Sequence, residues 1–300
     1  MDTRMPRDIT FTTFDGVKLA ATVYTAGEKR PSIVMTQGFS GLRKQFLPDF
    51  AERFVAAGFT TFIYDNRCWG DSEGVPRNHV DPILQTRDYF DAFNFVKTLP
   101  DVDPENIIYW GSSMSGGNVI TAAAVNKSVK AVIAQVPFVT GEVISDPAAF
   151  LWDILSQDRA NVASGKDAIM APIMPENEEE ALSGKSQAML NDPNGVRFMK
   201  EMDRRGYAYE KTATLQSLIH AVSHEPRAAI KRIIPRPILF VVAENDAIIP
   251  SDTQFQVFND ASDPKRLHVI KGAGHFDPYF GAPFEENIKV QLEFLKDIFH

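Results

Sequence analysis

The stretch Ile107-Ile108-Tyr109-Trp110-Gly111-Ser112-Ser113-Met114-Ser115-Gly116-Gly117 decides how the chain is read. Residues 107–110 are apolar and aromatic, which suits a strand, and 114–126 read as a helix. Only Gly111, Ser112 and Ser113 stand between them, so strand passes to helix through a tight turn of small residues. Taken alone, such a turn is compatible with a plain structural connection.

The segments on either side repeat that order. Upstream, 9–14 and 17–24 read as a hairpin joined by Asp15-Gly16, a strong short-range hairpin signal. Strands are expected at 32–36 and 60–64. Between them, 46–57 reads as a helix with Phe46, Phe50, Phe54 and Ala57 on one stripe and Gly58 as its stop. Asp81 reads as an N-cap, with Pro82 opening a helix to about Leu99. Downstream come a strand at 129–136, then strands at 238–243 and 266–270 and helices at 252–259 and 285–299. This alternation predicts an α/β fold, a mostly parallel sheet flanked by helices.

The alternation breaks over 138–232, which is rich in Ala, Met, Glu, Lys and Asn and carries Pro147, Pro172, Pro175 and Pro193. It reads as several helices with turns. The expected organisation is a core of 1–137 and 233–300, with 138–232 a mainly helical cap inserted after the sixth strand. The cap would lie over the carboxyl ends of the strands, where open parallel sheets bind ligands. Its aromatics, Phe138, Phe150, Trp152, Phe198, Tyr207 and Tyr209, either line an apolar acyl pocket or form the cap's own core; for any one of them the core is favoured. Glu178-Glu179-Glu180 reads as a solvated helix face.

A chain of 300 residues with 44% hydrophobic content suits one large α/β domain carrying an insertion. No apolar run is long enough to span a membrane, and 1–15 lacks the apolar core of a signal peptide, so a cytoplasmic location is expected. The net charge of −8 argues against nucleic acid as a partner. Cys68 is the one cysteine, so no internal disulfide can form, which fits a reducing compartment.

The Gly111–Ser115 pattern resembles the G-x-S-x-G nucleophile elbow of the α/β-hydrolase superfamily, with Ser115 in place of the last Gly. The sharp turn needs small residues two before and two after the nucleophile. That favours Ser113, since Ser112 has bulky Trp110 at minus two and Ser115 lies a turn into the helix. The resemblance implies an acid and then a His in later loops. Asp246, in Glu244-Asn245-Asp246-Ala247-Ile248-Ile249-Pro250, fits the acid, with Glu244 as runner-up. His275, in Lys271-Gly272-Ala273-Gly274-His275-Phe276, fits the base. The oxyanion hole it implies is made by the backbone N–H groups of Met114 and of Phe39, in Gln37-Gly38-Phe39-Ser40-Gly41, where Gln37 replaces the family's His.

The run from Asp65 to Gly74 resembles the Asp-x-Arg-x-x-Gly-x-Ser-x-Gly loop of the superfamily and reads as structural, with Cys68 a packed thiol. His79, His268 and His300 have plain readings. His220 and His224, four apart, could share a helix face as metal ligands, but no third ligand stands nearby and no metal is expected.

Phe14-Asp15-Gly16-Val17-Lys18-Leu19 and Asp65-Asn66-Arg67 resemble the dienelactone-hydrolase-like and X-Pro-peptidase-like branch. The elbow with Asn118-Val119 is similar to α/β-hydrolases of fungal biosynthetic clusters, some of which hydrolyse or transfer polyketide acyl groups. These resemblances imply a serine hydrolase or acyltransferase that cleaves or transfers an ester or thioester through an acyl-Ser113 intermediate, on a bulky apolar, polyketide-like small molecule. A peptidase acting on short peptides is the alternative, as is a non-acylating binding protein or cyclase on the same fold. The expected partner is a small-molecule acyl substrate, with no cofactor, no nucleic acid and no membrane span; a homodimer is left open.

Overall fold

The computed structural model describes residues 5–299, so the first four residues of the 1–15 stretch and His300 lie outside it. An eight-stranded sheet forms from β1 (Arg7–Thr12), β2 (Lys18–Tyr24), β3 (Arg30–Thr36), β4 (Thr60–Tyr64), β5 (Val102–Ser112), β6 (Ala131–Gln135), β9 (Ile238–Ala243) and β10 (Lys265–Ile270). Its order is β1-β2-β4-β3-β5-β6-β9-β10. From β4 to β10 neighbouring strands are parallel, and only β1–β2 and β2–β4 pair antiparallel.

The core helices are α1 (Leu47–Ala56), α2 (Pro82–Val96), α3 (Met114–Val125), α9 (Ser251–Asp260) and α10 (Gly281–Phe299). Both faces of the sheet are covered, so its central strands read as continuous apolar runs. Strand alternation still sorts them. Ile33, Met35, Ile63, Ile108, Trp110, Ile133 and Leu239 pack with Phe50 and Phe54 of α1 and Ile288 and Leu295 of α10. Val34, Phe62, Tyr64, Ile107, Tyr109, Val132 and Phe240 pack with Tyr89 and Phe93 of α2 and Val119 and Ile120 of α3.

Most sequence-expected elements occur within a few residues of their expected bounds. Gly16 turns the hairpin with φ +88°. Asp81 caps α2, accepting the N–H of Ile83 and Leu84. Phe46 differs. It precedes α1 with φ 51° and is wholly buried, its ring 4.9 Å from that of Phe198 and 5.4 Å from that of Tyr207. Tertiary packing of an aromatic ring outweighs its local helical pattern.

Between β6 and β9 the chain forms α4 (Ser145–Phe150), α5 (Trp152–Ala163), β7 (Met170–Pro172), α6 (Glu178–Leu182), α7 (Pro193–Arg204), β8 (Thr212–Thr214) and α8 (Ser217–Val222). The antiparallel β7–β8 ribbon is an addition to the expected helices. Strands of three residues, one ending in Pro, are too short to show a period-two signal.

Three histidines stand where this segment meets the core. The His79 ring sits 5.0 Å from that of His220, and its Nδ1 is 2.7 Å from Thr214 Oγ1. His224 is buried, stacks on Phe138 and, among the described residues, has no partner for Nε2. His220 faces Asp81 at 3.7 Å, and His224 lies beyond the end of α8. Burial pushes His79 down to about 4, reinforced by His220, and burial likewise pushes His224 down to about 4.

Both groups are therefore neutral when folded, while the unfolded chain takes up their protons from pH 6.5 downward. Their contribution is complete above that pH and is lost as pH falls toward 4. The urea unfolding midpoint is expected to fall between pH 7 and pH 5, and His224→Phe, with nothing to protonate, to lose part of that dependence.

Candidate active site

The order of the sheet fixes where a site can form. From β3 the chain runs through α1 to β4 on one side, then through α2 to β5 on the other. The connections diverge at the carboxyl ends of β3 and β5, which leaves a crevice there. The 37–41 loop leaves β3 at this point, and Ser113 leaves β5.

Ser113 has φ 55° and ψ −122°, a strained backbone for a non-glycine residue. Three backbone bonds hold it: its N–H to Gln135 O at 2.9 Å, and its C=O to the N–H of Phe138 at 2.8 Å and of Gly117 at 3.2 Å. The turn is tight enough that a Cβ on Gly111 would stand 2.1 Å from Ser115 O.

His275 Nε2 lies 3.0 Å from Ser113 Oγ, and its Nδ1 lies 2.8 Å from Asp246 Oδ2. Asp246 is buried and accepts the N–H of Ile248 and Ile249 on Oδ1, at 3.0 and 2.8 Å, and the amide of Gln254 on Oδ2 at 3.1 Å. With Oδ2 an acceptor, Nδ1 carries the imidazole proton and the Nε2 lone pair faces the serine hydroxyl. Glu244, the runner-up, lies elsewhere: it accepts from Lys271 at 2.8 Å and from the N–H of Gly272 at 2.8 Å, and the lysine lowers its pKa.

The other two serines of the elbow are buried and occupied. Ser112 Oγ takes bonds from Tyr279 at 2.6 Å and Gln135 at 3.0 Å. Ser115 Oγ donates to the carbonyl of Gln37, which also accepts Asn66 Nδ2 at 3.0 Å. Ser115 is thus more than a small residue in a glycine's place. It pins the 37–41 loop against the elbow, where a Cβ on Gly38 would stand 2.7 Å from Ser113 Cβ. Sequence reading missed this bond, whose partners are 78 residues apart.

The 65–74 loop is tied down by ion pairs, and none of its residues lines the cavity beside Ser113. Asp65 is buried and pairs with Arg43, which also reaches Asp71 at 2.9 Å; burial raises the Asp65 pKa against the pull of Arg43. Arg67 bridges Asp15 at 2.8 Å and buried Asp88 at 2.8 Å. Cys68 is buried, and burial pushes its thiol up to about 11, which suits a packed thiol.

Ser113 and His275 open onto a cavity of 570 Å³. One wall is the 37–41 loop. Much of the remainder comes from the segment between β6 and β9: Ile173, Met174, Leu190, Val196, Phe198, Met199 and Met202. Of the aromatics singled out there, Phe198 and Tyr209 line the cavity, Tyr207 packs on Phe46, and Phe138 is buried against His224. Phe150 and Trp152 lie exposed, against either expectation. Among the described residues no group of three or more His, Cys, Asp or Glu side chains is placed to hold a metal, and no helix is long and apolar enough to cross a membrane.

Comparison with known proteins agrees with this architecture. The family described as serine aminopeptidase, S33 (Hydrolase_4) matches residues 27–276. The chain belongs to this family of α/β hydrolases. It is 32% identical to a thiohydrolase of Eupenicillium brefeldianum, over 97% of this chain and 94% of that protein. It is 31% identical to the polyketide transferase grgF of Penicillium sp, over 97% of each. The crystal structure of the α/β hydrolase GrgF from Penicillium sp. sh18 matches with a TM-score of 0.86 at 30% identity, covering 98% of both chains. The family member in hand is a hydrolase or acyltransferase.

The loop-pinning role of Ser115 has a direct check. Ser115→Ala is expected to slow labelling of Ser113 by a fluorophosphonate about 5- to 10-fold, the worth of roughly 1 kcal/mol of hydrogen bonding, with the fold unchanged by circular dichroism.

Proposed function

We propose that this enzyme cleaves or transfers an ester or thioester acyl group through an acyl-Ser113 intermediate, on a bulky apolar small molecule. The observation that carries the reading is the Ser113–His275–Asp246 line opening onto an apolar cavity. In this reading the segment 138–232 is a cap that supplies the substrate's wall.

His275 Nε2 takes the Ser113 proton as Oγ attacks the acyl carbon, and the carbonyl electrons move onto its oxygen. Met114 is the first residue of α3, so its N–H has no acceptor within the helix and is available to that oxyanion. The N–H of Phe39, in the pinned loop, is the second donor. Collapse expels a thiolate or alkoxide, which takes the proton from His275. Water, or an acceptor alcohol or amine, then attacks the acyl-serine with His275 again as base. Asp246 stabilises the imidazolium in both halves.

Met174, Met199 and Met202 give the cavity a wall that adapts its shape, suited to acyl chains of varied outline. The names of the two relatives, thiohydrolase and polyketide transferase, support acyl chemistry on this scaffold. A peptidase would need a charged group to hold a free terminus. The cavity's charged groups, Glu176, Lys200, Asp203, Glu210 and Lys211, are all exposed to solvent rather than set in the apolar wall, which favours the acyl reading.

The test is a fluorophosphonate probe read by intact mass, with a series of acyl thioesters of increasing chain length alongside. One stoichiometric adduct is expected, absent from Ser113→Ala and from His275→Ala, with turnover rising as the apolar chain lengthens. Ser113→Ala should lower kcat by about 10⁴-fold or more. A folded protein that binds an apolar ligand yet takes no adduct would overturn the acyl-enzyme reading in favour of a binding protein or cyclase.

A further inference from the structure

His275 is held from one side by Asp246, through a single bond to Nδ1. One such bond sets the tautomer but leaves the ring free to pivot about it. The aim of Nε2 at Ser113 depends equally on the backbone that carries the residue. That backbone is a loop, and glycines stand at 272 and 274.

Side chains of α7 reach this loop: Phe198 packs on the Phe276 ring at 4.9 Å, and Asn194 bonds the loop's backbone. Asn194, in the first turn of α7, reaches 82 residues along the chain to accept the N–H of Phe276 on Oδ1 at 2.8 Å. Its Nδ2 donates to Asp277 Oδ1 at 3.0 Å. The other Asp277 oxygen accepts the N–H of Gly274 at 2.7 Å. The residues directly before and after His275, and the one beyond, are thereby tied into one network. Asp277 is buried, so its bonds face little competition from water.

Two further features belong to the same arrangement. A Cβ on Gly274 would stand 2.8 Å from Asn194 Cγ, so this glycine makes room for the asparagine. Asp192, buried, caps α7 by accepting the N–H of Asn194 at 2.9 Å, which sets the angle at which Asn194 leaves the helix. Arg197 adds a bridge to Asp277 at 3.4 Å from the solvent side.

We propose that Asn194 is a positioning residue: through Phe276 and Asp277 it locks the histidine loop to α7, so that His275 keeps its line to Ser113 only while the intervening segment is seated. This rests on the reading of His275 as the base. It makes closure over the cavity and alignment of the base a single event. A substrate that helps seat α7 also completes the site.

Fluorophosphonate labelling of Ser113 tests it, followed by intact mass across pH, with urea unfolding of each variant in parallel. Asn194→Ala is expected to slow the limiting labelling rate about 10- to 100-fold with little change in half-saturating probe. The pH midpoint for labelling should change as well, because the base no longer meets Asp246 in line. Asn194→Asp keeps the acceptor for Phe276 but sets a carboxylate against Asp277, and should be as slow. Combining Asn194→Asp with Asp277→Asn reverses the direction of the shared bond and leaves an acceptor for both Phe276 and Gly274. That double variant should regain most of the rate.

A purely structural contact predicts lost stability with unchanged rate and midpoint in the folded fraction, and that result would overturn the proposal. So would a folded double variant no faster than Asn194→Asp alone, a comparison that decides the matter even where Asn194→Ala fails to fold. An unsubstituted protein that takes no label overturns the serine reading and this one with it. Labelling by the unsubstituted protein that Asn194→Ala matches in rate and midpoint overturns the lock alone.

Discussion

Ser113 can face the cavity only because its backbone is held in a conformation that costs about 1–3 kcal/mol. That strain organises much of what surrounds it. Its N–H and C=O must be bound on both sides, which ties β5 to Gln135 at the end of β6 and to Phe138 where the chain leaves the sheet. The helix behind must come close, so a Cβ at Gly111 would strike Ser115 O and one at Gly117 would lie 2.1 Å from Phe138 O. The departure of the 138–232 segment therefore begins at the same three bonds that hold the serine.

Around this turn the protein places charge where water is scarce. Arg43 with Asp65, and Arg67 with Asp88, are buried or nearly so, and Asp15 reaches Arg67 from the hairpin turn. Buried ion pairs are weak contributors to net stability, because desolvation offsets their attraction, but they admit few alternative arrangements. Here they hold Asn66 beside Gln37 and so define the loop that faces the nucleophile. Removing one partner of such a pair strands the other, which makes the 65–74 loop costly to alter even though none of its side chains lines the cavity.

The parts legible in the sequence are those whose physics is local. Asp15-Gly16 turns because Gly tolerates positive φ, and Asp81-Pro82 starts a helix because cap and ring suit its first turn. Ser113, Asp246 and His275 could be singled out because each sits in a turn with a recognisable pattern, and the structure brings the three together. What was not legible depends on partners far along the chain. The hydroxyl of Ser115 looked like a tolerated substitute for hydrogen until Gln37 was beside it. Phe46 matched a helical stripe, and its positive φ goes with a cluster of distant rings, Phe198, Tyr207, Tyr279 and Phe280, gathered around it. The roles of the aromatics at 138–232 were undecidable by composition, since a ring that lines a cavity and one that fills a core look alike in sequence.

The Ser113–His275–Asp246 line and most of the apolar wall come from different stretches of chain. Ser113, His275 and Asp246 follow β5, β10 and β9, whose spacing is fixed by hydrogen-bond ladders within the sheet. The apolar wall comes largely from 138–232, which pairs with no strand of the main sheet. Substitutions in that wall can reshape the cavity while leaving the 2.8 and 3.0 Å contacts of His275 intact. The two stretches meet beside His275, where Asn194, Arg197 and Phe198 of α7 all touch the loop that carries it.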